Sequence, residues 1–178
     1  ESWYITQHIV CGMGHLDKLG VKDVREDTKT WKMLGNSVEY IDNQIKQNYD
    51  ELKKYCKRHC KKSEEKDCYE KCLKNNHLSY MAIHYLYARS FFKDIEIPSA
   101  TQQAFDYYLS QADEYWLSQS KYMQGMLAIA LHRFGNEKTP EKIIKSLKEH
   151  AIQDEEMGMY WKDVSAGYYW YQAPIETQ

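Results

Sequence analysis

Proline and glycine are scarce in this chain, at three and eight of 178 residues. So few breakers argue against a sandwich of short strands joined by tight turns, and favour long helices. No run approaches the roughly 18 apolar residues of a membrane span, so no membrane span is expected in this segment. Neither sign of charge is in excess: 24 Lys and Arg face 26 Asp and Glu, a net of −2. That balance carries no nucleic-acid footprint. HExxH, GxSxG, a glycine-rich phosphate loop and Asp-x-Asp-Asp are all missing, so no catalytic residue, cofactor or resident metal is expected from a motif. There is no Asn-x-Ser/Thr acceptor, no initiator Met and no signal peptide. The chain therefore reads as a processed or internal piece.

What is present is a globular composition, 43% apolar and 28% charged, with 16 tyrosines. The length suits one domain, 1–178, with a sizeable core. Apolar residues at helical spacing predict a helix from Trp3 to Leu19, stopped by Gly20. Asp27 and Thr28 cap a second, whose stripe (Trp31, Leu34, Val38, Ile41, Ile45, Tyr49, Leu52) runs about seven turns. A third is expected from Glu64 to Phe92, ended before Pro98. Further helices are expected at Thr101–Ser118, Lys121–Phe134 and, with Thr139 as cap and Pro140 at the first position, to Ile152. "MGMYWKD" and "GYYWYQ" alternate aromatic and polar residues and predict a small β-hairpin. Pro174 then reads as the start of a seventh helix.

The strongest local signal is Cys56, Cys60, Cys68 and Cys72, spaced C-x3-C-x7-C-x3-C. Four-residue steps place each pair on one helix face. In an antiparallel helical hairpin Cys60 meets Cys68 and Cys56 meets Cys72, giving two nested disulfides across a protruding tip at 43–75. The rivals are a four-thiolate zinc site, with His59 able to join, and free thiols. Zinc ligands more often sit C-x2-C on turns. Disulfides would place the chain in an oxidising compartment. Cys11 is left over and reads as a buried apolar filler.

Three segments share a rhythm: "YITQHIVCGMGHL", "YMAIHYLYARSFF" and "YMQGMLAIALHRFG". Each is apolar or small nearly all round, as in helices buried on several sides. Amphipathic helices alternate with them. The alternation predicts an all-α fold of inner and outer helices, a partial α/α toroid of hairpins.

"SWYITQHIVCGMGHLDKLG", "YLYARSFF", "LAIALHRFG" and "YYWYQAPIETQ", in that order, resemble the thioester-domain region of bacterial alpha-2-macroglobulin family proteins. Trp3 to Gln7 stand where that family begins an inner element with a Trp followed by an x-Thr-Ala/Gln helix. Glu176 and Thr177 stand at the start of a later one. The resemblance covers most of the chain outside 43–75 and implies a slice of a six-hairpin α/α toroid. The family's Cys-x-Glu-Gln motif is absent: Cys11 is followed by "GMG". The implied parent is a periplasmic or cell-surface endopeptidase inhibitor or protease trap. This segment would be its non-enzymatic scaffold, with other domains of the parent chain and target proteases as partners. The alternatives are an α/α-toroid enzyme, glycoside-active or terpenoid-cyclase-like, and a stand-alone helical-repeat binding module.

Other candidates have bland readings beside them. His8, His15, His84 and His132 on the inner helices could face a funnel as metal ligands or bases; core histidines are the commoner case. Asp154, Glu155 and Glu156 beside aromatics suggest a carboxylate pocket or, more simply, a solvated loop. Tyr160, Trp161 and Trp170 would serve as a binding surface or as packing for the hairpin.

Overall fold

A computed structural model describes residues 2–61, 66–156 and 158–161. It is mostly helical, with one small antiparallel hairpin. The chain divides into two compact units, one ending at Tyr115 and the other beginning at Trp116.

The first unit holds α1 (Trp3–Lys18), α2 (Asp23–Glu26), α3 (Thr28–Cys60), α4 (Cys68–Lys74), α5 (Tyr80–Arg89) and α6 (Ser99–Tyr115). Local chemistry sets most of the ends. Ser2, Asp27 and Ser79 each accept a backbone N–H from the first turn of α1, α3 and α5, satisfying donors the helix leaves open. Gly20 ends α1 with φ +83°, and the Val21 amide reaches back to the Leu16 carbonyl at 3.0 Å, a closure that glycine permits without a Cβ penalty.

The spine is α3, which contacts each of the other five helices. Its buried residues are Leu34, Val38, Ile41, Asp42, Ile45, Tyr49 and Cys56. They recur at three- and four-residue steps, so one stripe faces the unit's interior. Burying each Leu or Ile of that stripe contributes about 1.5–3 kcal/mol. Gly14 lets α1 approach Phe91: a Cβ at Gly14 would meet the ring at 2.4 Å.

Two helical expectations need correction. The helix expected from Glu64 to Phe92 is two helices, α4 and α5, separated at 75–79. Asn76 Oδ1 accepts from the Leu78 amide at 3.0 Å, and Gln111 Oε1 from the His77 amide at 2.8 Å. Side chains thus take the backbone donors that a continuing helix would use. In addition α1, expected to be buried on several sides, leaves Ile5, Ile9 and Leu16 at 58%, 47% and 42% exposure.

The second unit opens with a 3-10 turn, Trp116–Ser118, then α7 (Lys121–Arg133), α8 (Lys138–Glu149), β1 (Ile152–Asp154) and β2 (Gly158–Tyr160). Ser120 caps α7. Thr139 does not cap α8. It lies inside the first turn, and Asn136 Oδ1 accepts its amide at 3.1 Å. The hairpin pairs Ile152 with Tyr160 and Asp154 with Gly158. The second strand lies within "MGMYWKD", as expected, but its partner β1 precedes it; "GYYWYQ" falls outside the described residues, as does the helix expected at Pro174.

Candidate functional site

Two polar clusters lie inside the first unit. In the first, α1 and α5 meet through Gln7, whose Nε2 donates to the Met81 carbonyl at 3.0 Å. One turn further, Cys11 Sγ lies 3.3 Å from His84 Nε2. The rings of His8 and His84 sit 4.4 Å apart, with Tyr4 against His8 and Tyr80 against His84. His84 is 3% exposed. Burial drives its pKa down to about 3, and lowers that of His8 as well. A neutral His84 supplies no imidazolium to stabilise a thiolate. The Cys11–His84 contact is thus a thiol–imidazole hydrogen bond, not an activated nucleophile pair. His15 stands apart on α1, 3.2 Å from the Tyr87 hydroxyl. His132 is exposed on α7 in the second unit.

In the second cluster α3 and α5 share a buried ion pair. Arg89 Nε lies 3.1 Å from Asp42 Oδ1, and both side chains are 1% exposed. The Tyr85 hydroxyl donates to the same Asp42 oxygen at 2.7 Å. The remaining guanidinium nitrogens donate to the Phe92 and Ile95 carbonyls. Burial raises the Asp42 pKa, against the pull of Arg89 and Tyr85. This cluster pins the bend after α5 to the spine. No motif flagged Asp42; the available signal was an acid set between Ile41 and Ile45 on an otherwise apolar stripe.

The tip is the third candidate. Cys56 bonds Cys72 and Cys60 bonds Cys68, with Cα–Cα distances of 5.7 and 5.6 Å. The two rungs are nested along α3 and α4, one helical turn apart. Beside them a groove of about 250 Å³ is lined by His59, Cys68, Lys71, Cys72 and His77, among others. Cys11 is buried and takes part in no disulfide.

In the second unit Asp154, Glu155 and Glu156 are exposed at the hairpin turn, where Asp154 Oδ1 accepts the Glu156 amide at 2.9 Å. Tyr160 and Trp161 are half-buried. The Trp161 indole donates to the Leu147 carbonyl at 2.8 Å, which ties the end of the hairpin to α8. Trp170 lies outside the described residues. No family model, curated protein or solved structure matches the chain.

Proposed function

We propose that this chain is a structural and interaction segment of an alpha-2-macroglobulin-like protein whose parent restrains endopeptidases. In this reading α1 and α5 are inner helices of an α/α toroid, and α3 and α6 are outer ones. The observation that carries it is the outward apolar row of α1: Ile5, Ile9 and Leu16, followed by Leu19. An apolar row on a helix already packed on its other side marks a contact surface. Other domains of the parent chain and target endopeptidases are the partners this reading assigns. The two disulfides support a place outside a reducing cytoplasm, at a periplasm or cell surface.

The test uses the gene's whole product with a broad-specificity endopeptidase. Cleavage of a large protein substrate is expected to be blocked, while a small chromogenic peptide remains accessible. Ile5→Glu with Ile9→Glu is expected to weaken that block about 10-fold, equivalent to roughly 1.4 kcal/mol of docking. A whole product that leaves cleavage of both substrates unchanged refutes the reading.

A further inference from the structure

The charge of this chain is unevenly placed. From Lys53 to Lys74 nine Lys and Arg stand among four Asp and Glu, a local net of +5, whereas the whole chain carries −2. The remainder therefore carries −7. Lys53 and Lys54 are paired with Asp50 and Glu51. Lys57, Arg58, Lys61, Lys66 and Lys74 lie exposed around the tip. Such a local excess of one sign attracts a partner of the other.

The groove beside the disulfides lies within that charge. Tyr55 and His59 line it from α3, Lys71 and Asn75 from α4 and its cap, and His77 from the segment beyond. Among the described residues no carboxylate lines it, Asp67 and Glu70 included. The rings of Tyr55 and His59 lie 14° from parallel with centroids 5.9 Å apart, and Tyr55 is 51% exposed. The groove thus joins a flat aromatic face to cationic and amide donors. We propose that it binds an acidic sugar, one ring carrying a carboxylate or sulfate, within an anionic polysaccharide.

At about 250 Å³ the groove falls just below the roughly 300–1,000 Å³ of pockets for drug-sized ligands, which suits one ring. The C–H side of a pyranose packs on the electron-rich face of an aromatic ring. Lys71 and the Asn75 amide can then meet the acid group through charge-assisted hydrogen bonds. A membrane surface fits less well, because it calls for a row of exposed apolar side chains beside the basic ones. Among the described residues of the tip, Tyr55 is the one exposed large apolar side chain. Nucleic acid would suit the stack, but the disulfides support a place outside a reducing cytoplasm, where acidic polysaccharides are common polyanions. That step rests on the compartment in the function proposed above. The walls are also held before any ligand arrives. The two rungs fix α4 against α3. The His77 ring donates from Nε2 to the Cys72 carbonyl at 2.8 Å, and Gln111 Oε1 accepts the His77 amide at 2.8 Å. Little ordering is left for binding to impose.

The experiment follows binding of a fluorescent heparin hexasaccharide to the full chain by anisotropy at low salt. Uncharged maltohexaose is expected not to compete, and a single-stranded thymidine hexanucleotide to compete about 10-fold more weakly than unlabelled hexasaccharide. Lys71→Gln with Arg58→Gln should weaken binding about 10-fold, and Tyr55→Ala about 5-fold. Lys29→Gln with Lys32→Gln removes the same charge from exposed positions at the start of α3, and should change affinity less than about twofold. Reduction by a phosphine keeps every charge but frees α4 from α3, and should weaken binding about 10-fold. Equal losses in the two double variants, or binding unchanged on reduction, would reveal diffuse charge attraction and overturn the groove. Equal competition by the hexanucleotide overturns the choice of sugar. No binding of the hexasaccharide overturns the proposal outright. Each of these outcomes leaves the endopeptidase test standing, because that test reads the apolar row of α1.

Discussion

The interior of the first unit and its tip are held by different means, and cysteine marks the contrast. In the interior, α1, α5 and the first half of α3 bury Val10, Leu34, Val38, Ile41, Ile45 and Phe92. There Cys11 forms no disulfide and sits beside the His84 imidazole. At the tip, α3 beyond Leu52 is largely exposed apart from Cys56, and α4 is seven residues long. So short a helix is unstable alone, because nucleation outweighs the few hydrogen bonds it gains. Two disulfides supply what burial does not. The same residue type is thus packing where the chain encloses it and a covalent link where the chain projects into solvent.

The sharpest way to break the interior is through its charges. Arg89→Ala leaves Asp42 buried without its partner and removes donors from the Phe92 and Ile95 carbonyls. A loss of about 3–5 kcal/mol is expected in chemical denaturation. Replacing the pair together, Arg89→Met with Asp42→Leu, should recover most of that loss, since the cost lies in the uncompensated charge. A small effect of Arg89→Ala alone would mean that water reaches Asp42.

The tip should respond to covalent change instead. Cys56→Ser with Cys72→Ser opens a link between residues 16 apart, worth about 3 kcal/mol if it acts on the whole unfolded chain. Because the tip packs little, the loss is expected to be local. Amide exchange should speed up over Lys53–Cys60 and change little over Leu34–Ile45. Equal acceleration in both stretches would show that the rungs also hold the interior.

This contrast explains what could be read from residues alone. The nested disulfides, the Asp27 cap and the α3 stripe depend on spacing within one helix or hairpin, and a four-residue step carries that information. The Asp42–Tyr85–Arg89 cluster joins residues 43 and 47 apart, and no local pattern encodes that meeting. The break at 75–79 was obscured because Leu73, Leu78 and Met81 continue an apolar rhythm across it. There Asn76, Ser79 and Gln111 decide the backbone through hydrogen bonds, one of them from another helix. The exposed side of α1 was misjudged for a related reason. Its apolar residues surround the helix, and composition does not say which side finds a neighbour.

A milder perturbation separates the two regions by pH. His84 has a folded pKa of about 3 against an ordinary 6.5. The unfolded chain therefore takes up a proton that the folded chain refuses. The stability contributed by neutral His84 is fully present above pH 6.5 and is lost as pH falls toward 3. Between pH 6.5 and 5 the loss from this group should approach about 2 kcal/mol, at roughly 1.4 kcal/mol per pH unit. His8, lowered by its own burial, works in the same direction; Tyr4, Tyr80 and Cys11 also face the pair. His84→Asn should flatten the slope of denaturation free energy against pH by about one proton, whatever it does to stability at pH 7. Exchange at the tip should be insensitive to the substitution, because its links are covalent. A slope unchanged in His84→Asn would mean that His84 is hydrated in the folded chain, and that α1 and α5 meet less closely than the 3.3 Å contact with Cys11 requires.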